Sequence, residues 1–310
     1  MLWFISIVIK RESILGSVII ILFIVSLFFG SKKTTQDRDG FTTSPSLFSK
    51  NGIAIVDIYG PISFPQYSTN FIPAGANLTL SQLAQIRQDK HVKGLILRIN
   101  SPGGTVGASQ EIYHAIKKIK EENNIPIVAQ IGDVGASGAY YAALGADTIF
   151  ANPGSLVGSI GVIIGNVSID EFAQKYGLDY NVYKSGTYKD ILSMWRESSS
   201  QEKKLLQNLV DNVFEQFQAD FIDSRKISKK DAQKVSQGQI YTGQQALELN
   251  LIDKVGGYED ALTYIGELTG LGKNPPVINK YNNPLMDVVN VLNNSFGSRF
   301  NLNQPNVQLR

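Results

Sequence analysis

The chain has 310 residues, a formal net charge of +2 and 43% apolar residues, so it is long enough for a substantial core and too apolar to be disordered. The small net charge argues against a nucleic-acid binder, which usually carries a strongly basic patch. The absence of cysteine excludes disulfides, thiolate metal sites, a cysteine nucleophile and a lipoprotein anchor.

The first predicted element is an apolar segment near the start of the chain. Ser13 to Ser31 contains no charged residue, and a helix of that length nearly spans a hydrocarbon core of about 30 Å. A cleaved signal peptide is the alternative, but Phe28 and Phe29 stand where cleavage requires small residues. We therefore expect a short flank over 1–12 and a single retained transmembrane anchor over 13–31. Basic residues lie on both sides of it, so the charge pattern does not set its orientation.

The rest of the chain divides into a linker, a domain and a tail. Residues 32–50 are polar and rich in Ser and Thr, as is typical of a linker. From residue 51 onward, runs rich in Val and Ile alternate with helical patterns, which favours an α/β architecture. No internal repeat is present, so we expect one domain over 51–271, followed by an Asn- and Pro-rich tail over 272–310.

The elements of this domain follow from hydrophobic patterning. The predicted strands are Ile53–Ile62, Val92–Asn100, Pro126–Asp133, Asp147–Asn152 and Ser159–Ser168. The predicted helices are Leu80–Asp89, Ala108–Glu122, Ile169–Gly177 and a longer one after Ser199.

The longest predicted helix begins at a capping box formed by Ser199 and Glu202. An apolar stripe follows at helical spacing, which is most simply interpreted as core or subunit packing. Its members are Leu205, Leu206, Leu209, Val210, Val213, Phe214, Phe217 and Phe221.

Two glycine-containing turns carry the candidate chemistry. In the first, a buried strand ends at Asn100 and the sequence Ser-Pro-Gly-Gly turns the chain into a helix. The second carries Ser137 between small residues, where a strand gives way to a helix. The N–H of Gly138, with that of Gly103 or Gly104, can meet a developing oxyanion, where each donor contributes about 3 kcal/mol. A double glycine alone is more often a plain turn, so the first signal is weak by itself.

Several motifs in a fixed order make the interpretation specific. The sequences INSPGG, GDVGASGAYYAA, GSLVGSIGV, GTYKDI and GQIYTGQQALELNLIDKVGG together resemble the signal peptide peptidase A (SppA) family of membrane-anchored serine proteases, over about Gly52 to Leu271. The resemblance implies an α/β fold of the ClpP/crotonase type, a β-β-α superhelix, in the short one-domain form. It implies a serine endopeptidase of the cytoplasmic membrane, with its catalytic domain facing outward to the periplasm. Its substrates are expected to be apolar peptides such as cleaved signal peptides, and no cofactor is expected.

The same resemblance assigns roles to residues. Ser137 is the implied nucleophile, Lys189 in SGTYKDI is the implied base, and Ser159 is implied to hold the lysine amine by a hydrogen bond. The oxyanion hole is implied at the N–H groups of Gly103, Gly104 and Gly138. Related short-form proteases form rings in which the serine and the lysine of one site come from neighbouring subunits, which implies a homo-oligomer with shared sites here.

A lysine base must lose its proton near neutral pH, although the pKa of a free lysine lies near ~10.4. Burial in an apolar pocket can disfavour the charged form by the required amount, about 4 kcal/mol for a pKa lowered by three units. Asp190 would work against this, so its side chain is expected to point away from the amine. Lys184 is the alternative base, but it lacks the preceding Gly-x-Tyr of the motif.

The two histidines and two other function classes are the remaining alternatives. His91 and His114 both precede Ser137, whereas the ClpP triad needs a histidine after the serine, so we expect surface roles for both. A crotonase-type acyl-CoA enzyme shares the fold, but it needs carboxylates near the oxyanion hole and would leave the serine and lysine motifs unexplained. A catalytically idle membrane scaffold of the same fold is the other possibility. No paired-histidine helix or carboxylate cluster with ligand spacing suggests a metal site.

Overall fold

The computed structural model describes residues 51–65 and 75–278. The expected anchor over 13–31, the linker over 32–50 and most of the expected tail lie outside these residues. Among the helices of the described ranges, none combines the length and apolarity needed to cross a bilayer.

A parallel sheet forms the centre of the domain. Strands β1 (Gly52–Tyr59), β2 (Val92–Ser101), β3 (Ile127–Ala136) and β4 (Thr148–Ala151) lie side by side in that order and run parallel. Their largely apolar and buried sequences suit strands that are covered on both faces. Short strands extend the sheet, with β7 (Lys254–Val255) beside β4 and β8 (Val277–Ile278) beside β1.

The second edge of β3 is shared by two partners. Residues 128–131 of β3 pair with β4, whereas residues 134–136 pair with β5 (Leu156–Gly158). β5 then pairs in antiparallel fashion with β6 (Ile240–Thr242). The sheet therefore splits at the carboxyl end of β3, immediately before Ser137.

Helices cover both faces of the sheet. On one face, alternate residues such as Val56, Leu97 and Ile131 pack with α1 (Ala76–Gln88), α2 (Val106–Asn123) and α3 (Gly138–Ala143). On the other face, residues such as Ile55 and Ile96 pack against α8 (Tyr258–Leu268). The remaining helices are α4 (Asp170–Lys175), α5 (Ser200–Arg225), α6 (Lys229–Val235) and α7 (Gly243–Glu248). This mixed sheet with helices on both faces confirms the expected α/β class.

The predicted strand over Ser159–Ser168 is wrong. Pairing ends at Gly158, because the positive φ values of Gly158 (105°) and Ser159 (52°) turn the chain out of the sheet. Residues 159–169 have no regular secondary structure, and Ile163 is 95% exposed. Apart from Ile160, which is buried, the apolar residues of this stretch lie largely at the surface and not in a strand.

The predicted long helix is confirmed as α5. The Ser199 hydroxyl accepts a hydrogen bond from the Glu202 N–H at 3.2 Å, and the Glu202 carboxylate accepts one from the Ser199 N–H at 2.8 Å. Only the second half of its apolar stripe is deeply buried, since Phe217 and Phe221 lie in the core whereas Leu209 is exposed.

Candidate active site

Ser137 occupies the turn between β3 and α3 in a strained conformation. Its φ of 53° and ψ of −124° belong to a region that a residue other than glycine adopts at a cost of about 1–3 kcal/mol. The Ser137 N–H donates to the Gly158 carbonyl at 2.8 Å, which fixes the turn to the end of β5. A serine on a strained strand-to-helix turn is the arrangement that exposes the hydroxyl of a hydrolase nucleophile.

The glycine turn after β2 lies directly against the serine turn. A Cβ on Gly103, whose φ is 95°, would lie 2.7 Å from the Gly138 nitrogen. A Cβ on Gly104 would lie 1.8 Å from the Ile62 carbonyl oxygen, and a Cβ on Gly138 would lie 2.2 Å from the Ser109 hydroxyl. Gly103 and Gly104 are therefore required because neighbouring backbone approaches too closely for a side chain, and Gly138 because the Ser109 side chain occupies that space.

Two N–H groups beside the serine are available to a ligand. The Gly104 nitrogen lies 3.2 Å from the position of a Cβ on Gly138, so the two turns bring these amides together. Within residues 51–65 and 75–278, neither the Gly104 N–H nor the Gly138 N–H donates a hydrogen bond. Paired, unused amides next to a serine hydroxyl form the arrangement that receives an oxyanion.

A cavity of about 450 Å³ opens beside Ser137. Its polar side includes Ser159, which is half-buried and whose N–H donates to the Gln239 carbonyl at 2.7 Å. Its other side is apolar and comes from α5, chiefly from Val210, Val213, Phe214 and Phe217. The cavity can therefore hold an apolar side chain next to the nucleophile.

The Tyr141 ring, which follows Ser137 on α3, supports the apolar side. It stacks on Phe217 with ring centroids 4.4 Å apart and an interplanar angle of 8°. Its hydroxyl donates to the Asp220 carboxylate, to which the Tyr113 hydroxyl also donates at 3.4 Å. Burial, reinforced by the Asp220 carboxylate, raises the pKa of both phenols, so both remain donors. Asp220 thus ties the serine-bearing helix to α5, and sequence reasoning assigned it no role because it stands among ordinary polar positions.

Lys189 does not join these residues within one chain. It lies in the irregular part of the segment 161–198, is exposed and does not line the cavity. Its side chain makes no hydrogen bond or ion pair with any residue that the structure describes. The described chain therefore brings together Ser137, Ser159 and the three glycines, and it leaves the expected base apart from them.

Lys184, the alternative base, is already engaged. Its Nζ donates to the Asp190 carboxylate at 2.6 Å and to the Thr187 carbonyl at 3.1 Å. Arg196 binds the same carboxylate through two nitrogens, both at 2.9 Å. Arg196 and Lys184 hold the pKa of Asp190 well below its usual range. The Asp190 carboxylate is thus occupied by two cations other than Lys189, as expected, whereas the part played by Arg196 was missed.

The histidines lie away from the cavity. The His91 Nδ1 is 3.0 Å from the Asp89 carboxylate on the surface, and His114 is exposed on α2 beside the Tyr113 ring. Neither lines the cavity next to Ser137. In the part of the chain that the structure describes, no three His, Asp or Glu side chains cluster closely enough to hold a metal ion.

Comparisons of the sequence with family models and with curated proteins give consistent matches. The family model described as Peptidase family S49 matches residues 119–272, and that of Clp protease matches residues 67–155. A protein of Synechocystis sp. that is provisionally named a protease is 40% identical over 203 residues, which are 66% of this chain and 73% of that protein. A protein of Enterococcus faecium provisionally named signal peptide peptidase SppA is 35% identical over 238 residues, 76% of this chain and 67% of its own length. Protease 4 of Salmonella typhi is 30% identical over 197 residues, which are 64% of this chain but 32% of that protein.

The matched regions contain the residues discussed above. The S49 match includes Ser137, Ser159 and Lys189, and the Clp protease match includes the glycine turn. The mixed α/β sheet is consistent with a ClpP-like fold. The chain therefore belongs to peptidase family S49 and is a serine peptidase.

Proposed function

We propose that the protein is a membrane-anchored endopeptidase in which Ser137 attacks the peptide bond and Lys189 serves as the base. One observation carries the proposal: Ser137 stands on a strained turn, beside the unused N–H groups of Gly104 and Gly138, at the edge of an apolar cavity. That combination supplies a nucleophile, an oxyanion site and room for a substrate side chain.

The reaction follows from these roles. The Ser137 hydroxyl attacks the carbonyl carbon as the Lys189 amine accepts its proton, and the new oxyanion accepts hydrogen bonds from the two glycine N–H groups. The C–N bond breaks as the Lys189 ammonium returns a proton to the leaving amine, which leaves an acyl-enzyme. A water molecule then gives a proton to Lys189 and attacks the ester carbonyl. The bond from that carbon to the Ser137 oxygen breaks as the Lys189 ammonium returns the proton to this oxygen, which releases the acid and the free serine. Ser159 would hold the amine in place during both steps.

The substrate class is argued from the cavity. Valine and phenylalanine side chains of α5 form one wall, so apolar residues of an extended peptide are the best fit. The name of the Enterococcus faecium relative, a signal peptide peptidase, supports peptides of this kind. The apolar segment over 13–31 supports a single-pass anchor in the cytoplasmic membrane, with the catalytic domain on the outer, periplasmic side.

We also propose that the protein forms a homo-oligomeric ring with shared sites. Lys189 is exposed and outside the cavity of its own chain, so a neighbouring chain is the natural source of the base. The segment that carries Lys189 exposes an unusual amount of apolar surface for a monomer. Its exposed apolar residues include Ile163, Val167, Phe172, Tyr176 and Tyr183.

Three substitutions and a covalent probe test the proposed activity. Ser137→Ala and Lys189→Ala should each abolish hydrolysis of an apolar peptide without loss of fold or assembly, whereas Lys184→Ala should still hydrolyse it. A fluorophosphonate probe should label the wild type at Ser137. An inactive Lys184→Ala together with an active Lys189→Ala would show that the base was chosen wrongly. A folded wild type that hydrolyses no peptide and takes up no probe would favour the idle scaffold.

A further inference from the structure

An ion cluster joins the turn that carries Lys189 to the start of α5. At its centre, Arg196 donates from Nε and Nη2 to Asp190, both at 2.9 Å. It also donates from Nη1 and Nη2 to Glu202, at 2.9 and 2.5 Å, and from Nη1 to the Glu197 carbonyl at 3.1 Å. Every N–H of the guanidinium therefore has a partner. The two bidentate contacts, one to each carboxylate, cannot be made by a lysine.

Both carboxylates of the cluster are well enclosed. The side chain of Asp190 is 8% exposed and that of Glu202 is 3% exposed. Glu202 is fixed by the capping box of α5, and α5 further along forms the apolar wall beside Ser137. The residue next to Lys189 is therefore tied through Arg196 to the helix that builds the substrate cavity.

Most other described bonds of this turn are local. The exceptions come from the Asn166 side-chain amide, which donates to the Leu192 and Ser193 carbonyls at 3.3 and 3.4 Å but itself lies in an irregular stretch outside the sheet. The Lys189 N–H donates to the Gly186 carbonyl at 3.2 Å, and the Ser193 N–H donates to the Asp190 carbonyl at 3.0 Å. Such single turns do not by themselves hold a surface segment in one position. Arg196 is thus the main side-chain tether between the Lys189 turn and the body of the domain.

The charges of the cluster cancel. Lys184 and Arg196 supply two positive charges, and Asp190 and Glu202 supply two negative charges. The other charged groups of the surrounding stretch, 179–203, are Asp179 and the exposed pair of Lys203 with Glu197, which is 3.0 Å apart. Without Arg196, a carboxylate adjacent to the base would retain only the half-exposed Lys184 as a partner.

We propose that Arg196 is a positioning residue for the base: it fixes the Lys189 turn to α5 and cancels the charge of Asp190 beside it. The inference rests on the proposed Ser137–Lys189 dyad. A lysine acts as a base only after it loses its proton, and a net negative neighbourhood holds that proton more tightly. Arg196 would therefore affect both the geometry of the base and the pH at which activity appears.

The test is the pH dependence of peptide hydrolysis by the full-length protein. In Arg196→Gln, we expect the midpoint of the rise in kcat with pH to move up by about one unit, and the alkaline plateau to fall by about tenfold, with little change in KM. Arg196→Lys keeps the charge but not the bidentate contacts, so it should lower the alkaline plateau of kcat and leave the pH midpoint unchanged. Asp190→Asn removes the negative charge, so its midpoint should move down.

Lys203→Gln is the matched control. It deletes one positive charge from the first turn of α5, next to Glu202, but from an exposed pair that does not touch Asp190, so midpoint and plateau should both stay at the wild-type values. Thermal unfolding and assembly are measured for each variant. If Arg196→Gln does not fold, the test is whether the midpoint of the kcat–pH profile moves down in Asp190→Asn.

Two outcomes would overturn the inference. The first is a wild-type midpoint and plateau in Arg196→Gln. The second is an unchanged midpoint in both Arg196→Gln and Asp190→Asn. If either result is found and Lys189→Ala is inactive, the role of Arg196 is wrong but the proposed Ser137–Lys189 dyad is retained. An active Lys189→Ala would show that the dyad itself is wrong.

Discussion

The N–H of Ser137 donates to the carbonyl of Gly158 at 2.8 Å, and this bond ties the serine turn to the end of β5. The next residue, Ser159, leaves the strand with a φ of 52° and donates its N–H to the Gln239 carbonyl. The three-residue strand β5 therefore positions both Ser137 and Ser159 beside the cavity. This is possible because the last residues of β3 pair with β5 and no longer with β4.

The strain at Ser137 leads to a first prediction. Ser137→Ala keeps a Cβ at a φ of 53°, whereas Ser137→Gly removes it. Glycine adopts this region without steric cost, although it gains entropy in the unfolded chain, so Ser137→Gly should exceed Ser137→Ala in unfolding free energy by about 1 kcal/mol. Urea denaturation of the two inactive variants measures the difference. A less stable glycine variant would mean that the turn is not strained in solution.

The two glycines near the start of α2 give a second prediction with its own control. A Cβ on Gly104 would meet the Ile62 carbonyl oxygen at 1.8 Å, so Gly104→Ala must displace the backbone that carries the proposed oxyanion donor. Activity should fall by at least about a hundredfold. Gly107 has nothing within 4 Å of its Cβ position and lies inside α2, so Gly107→Ala should keep full activity and gain up to about 1 kcal/mol of stability. Equal activities in the two variants would rule out the Gly104 amide as a donor.

Acid stability gives a third prediction. Hydrogen bonds from Arg196, with that from the Ser199 N–H, lower the pKa of Glu202 to about 2, and Arg196 and Lys184 lower that of Asp190. A depressed carboxylate pKa stabilises the fold above the unfolded value, about 4, and that contribution is lost as pH falls through the folded value. Arg196→Gln should therefore lie below the wild type in Tm at pH values above about 5, and the gap should close toward about pH 2. A gap that stays constant over this range would show that the carboxylates do not depend on Arg196.

The strands of the parallel sheet were predictable because each begins or lies in a short, largely apolar run between turn residues. The same rule gave a false strand at Ser159–Ser168, since composition does not reveal that Gly158 and Ser159 have positive φ. The serine turn was also predictable, because small residues flank Ser137 where a strand gives way to a helix, whereas the Gly103–Gly104 turn gave only a weak signal by itself. β3 nevertheless runs to Ala136 and not only to Asp133, and this extension delivers Ser137 to β5.

Two features of the site could not be predicted from local sequence. The role of Arg196 depends on contacts with residues six positions away on both sides, and only a folded turn brings those carboxylates to one guanidinium. The position of Lys189 outside the cavity reflects a segment with few backbone bonds to the sheet. Family resemblance implied Lys189 as the base by its motif, but no pattern within one chain specifies which chain's serine a lysine would serve.

Shared sites lead to the last prediction. Ser137→Ala chains keep Lys189, and Lys189→Ala chains keep Ser137, so each assembly alone is inactive. If the dyad forms between neighbours, dissociation, mixing in equal amounts and reassembly should create some complete sites. Random mixing pairs an intact Ser137 with an intact Lys189 at about a quarter of the junctions, so about a quarter of wild-type activity should return.

A second mixture tests the same idea from the opposite direction. Wild-type chains are mixed in equal amounts with chains that carry both Ser137→Ala and Lys189→Ala. Sites within one chain would keep about half of the wild-type activity, whereas shared sites need two wild-type neighbours and would keep about a quarter. Exchange is verified by mass spectrometry of differently labelled chains. A first mixture that stays inactive while the second keeps half of the activity would place both members of the dyad in one chain, and Lys189 would then have to move into its own cavity when the protein assembles or binds substrate.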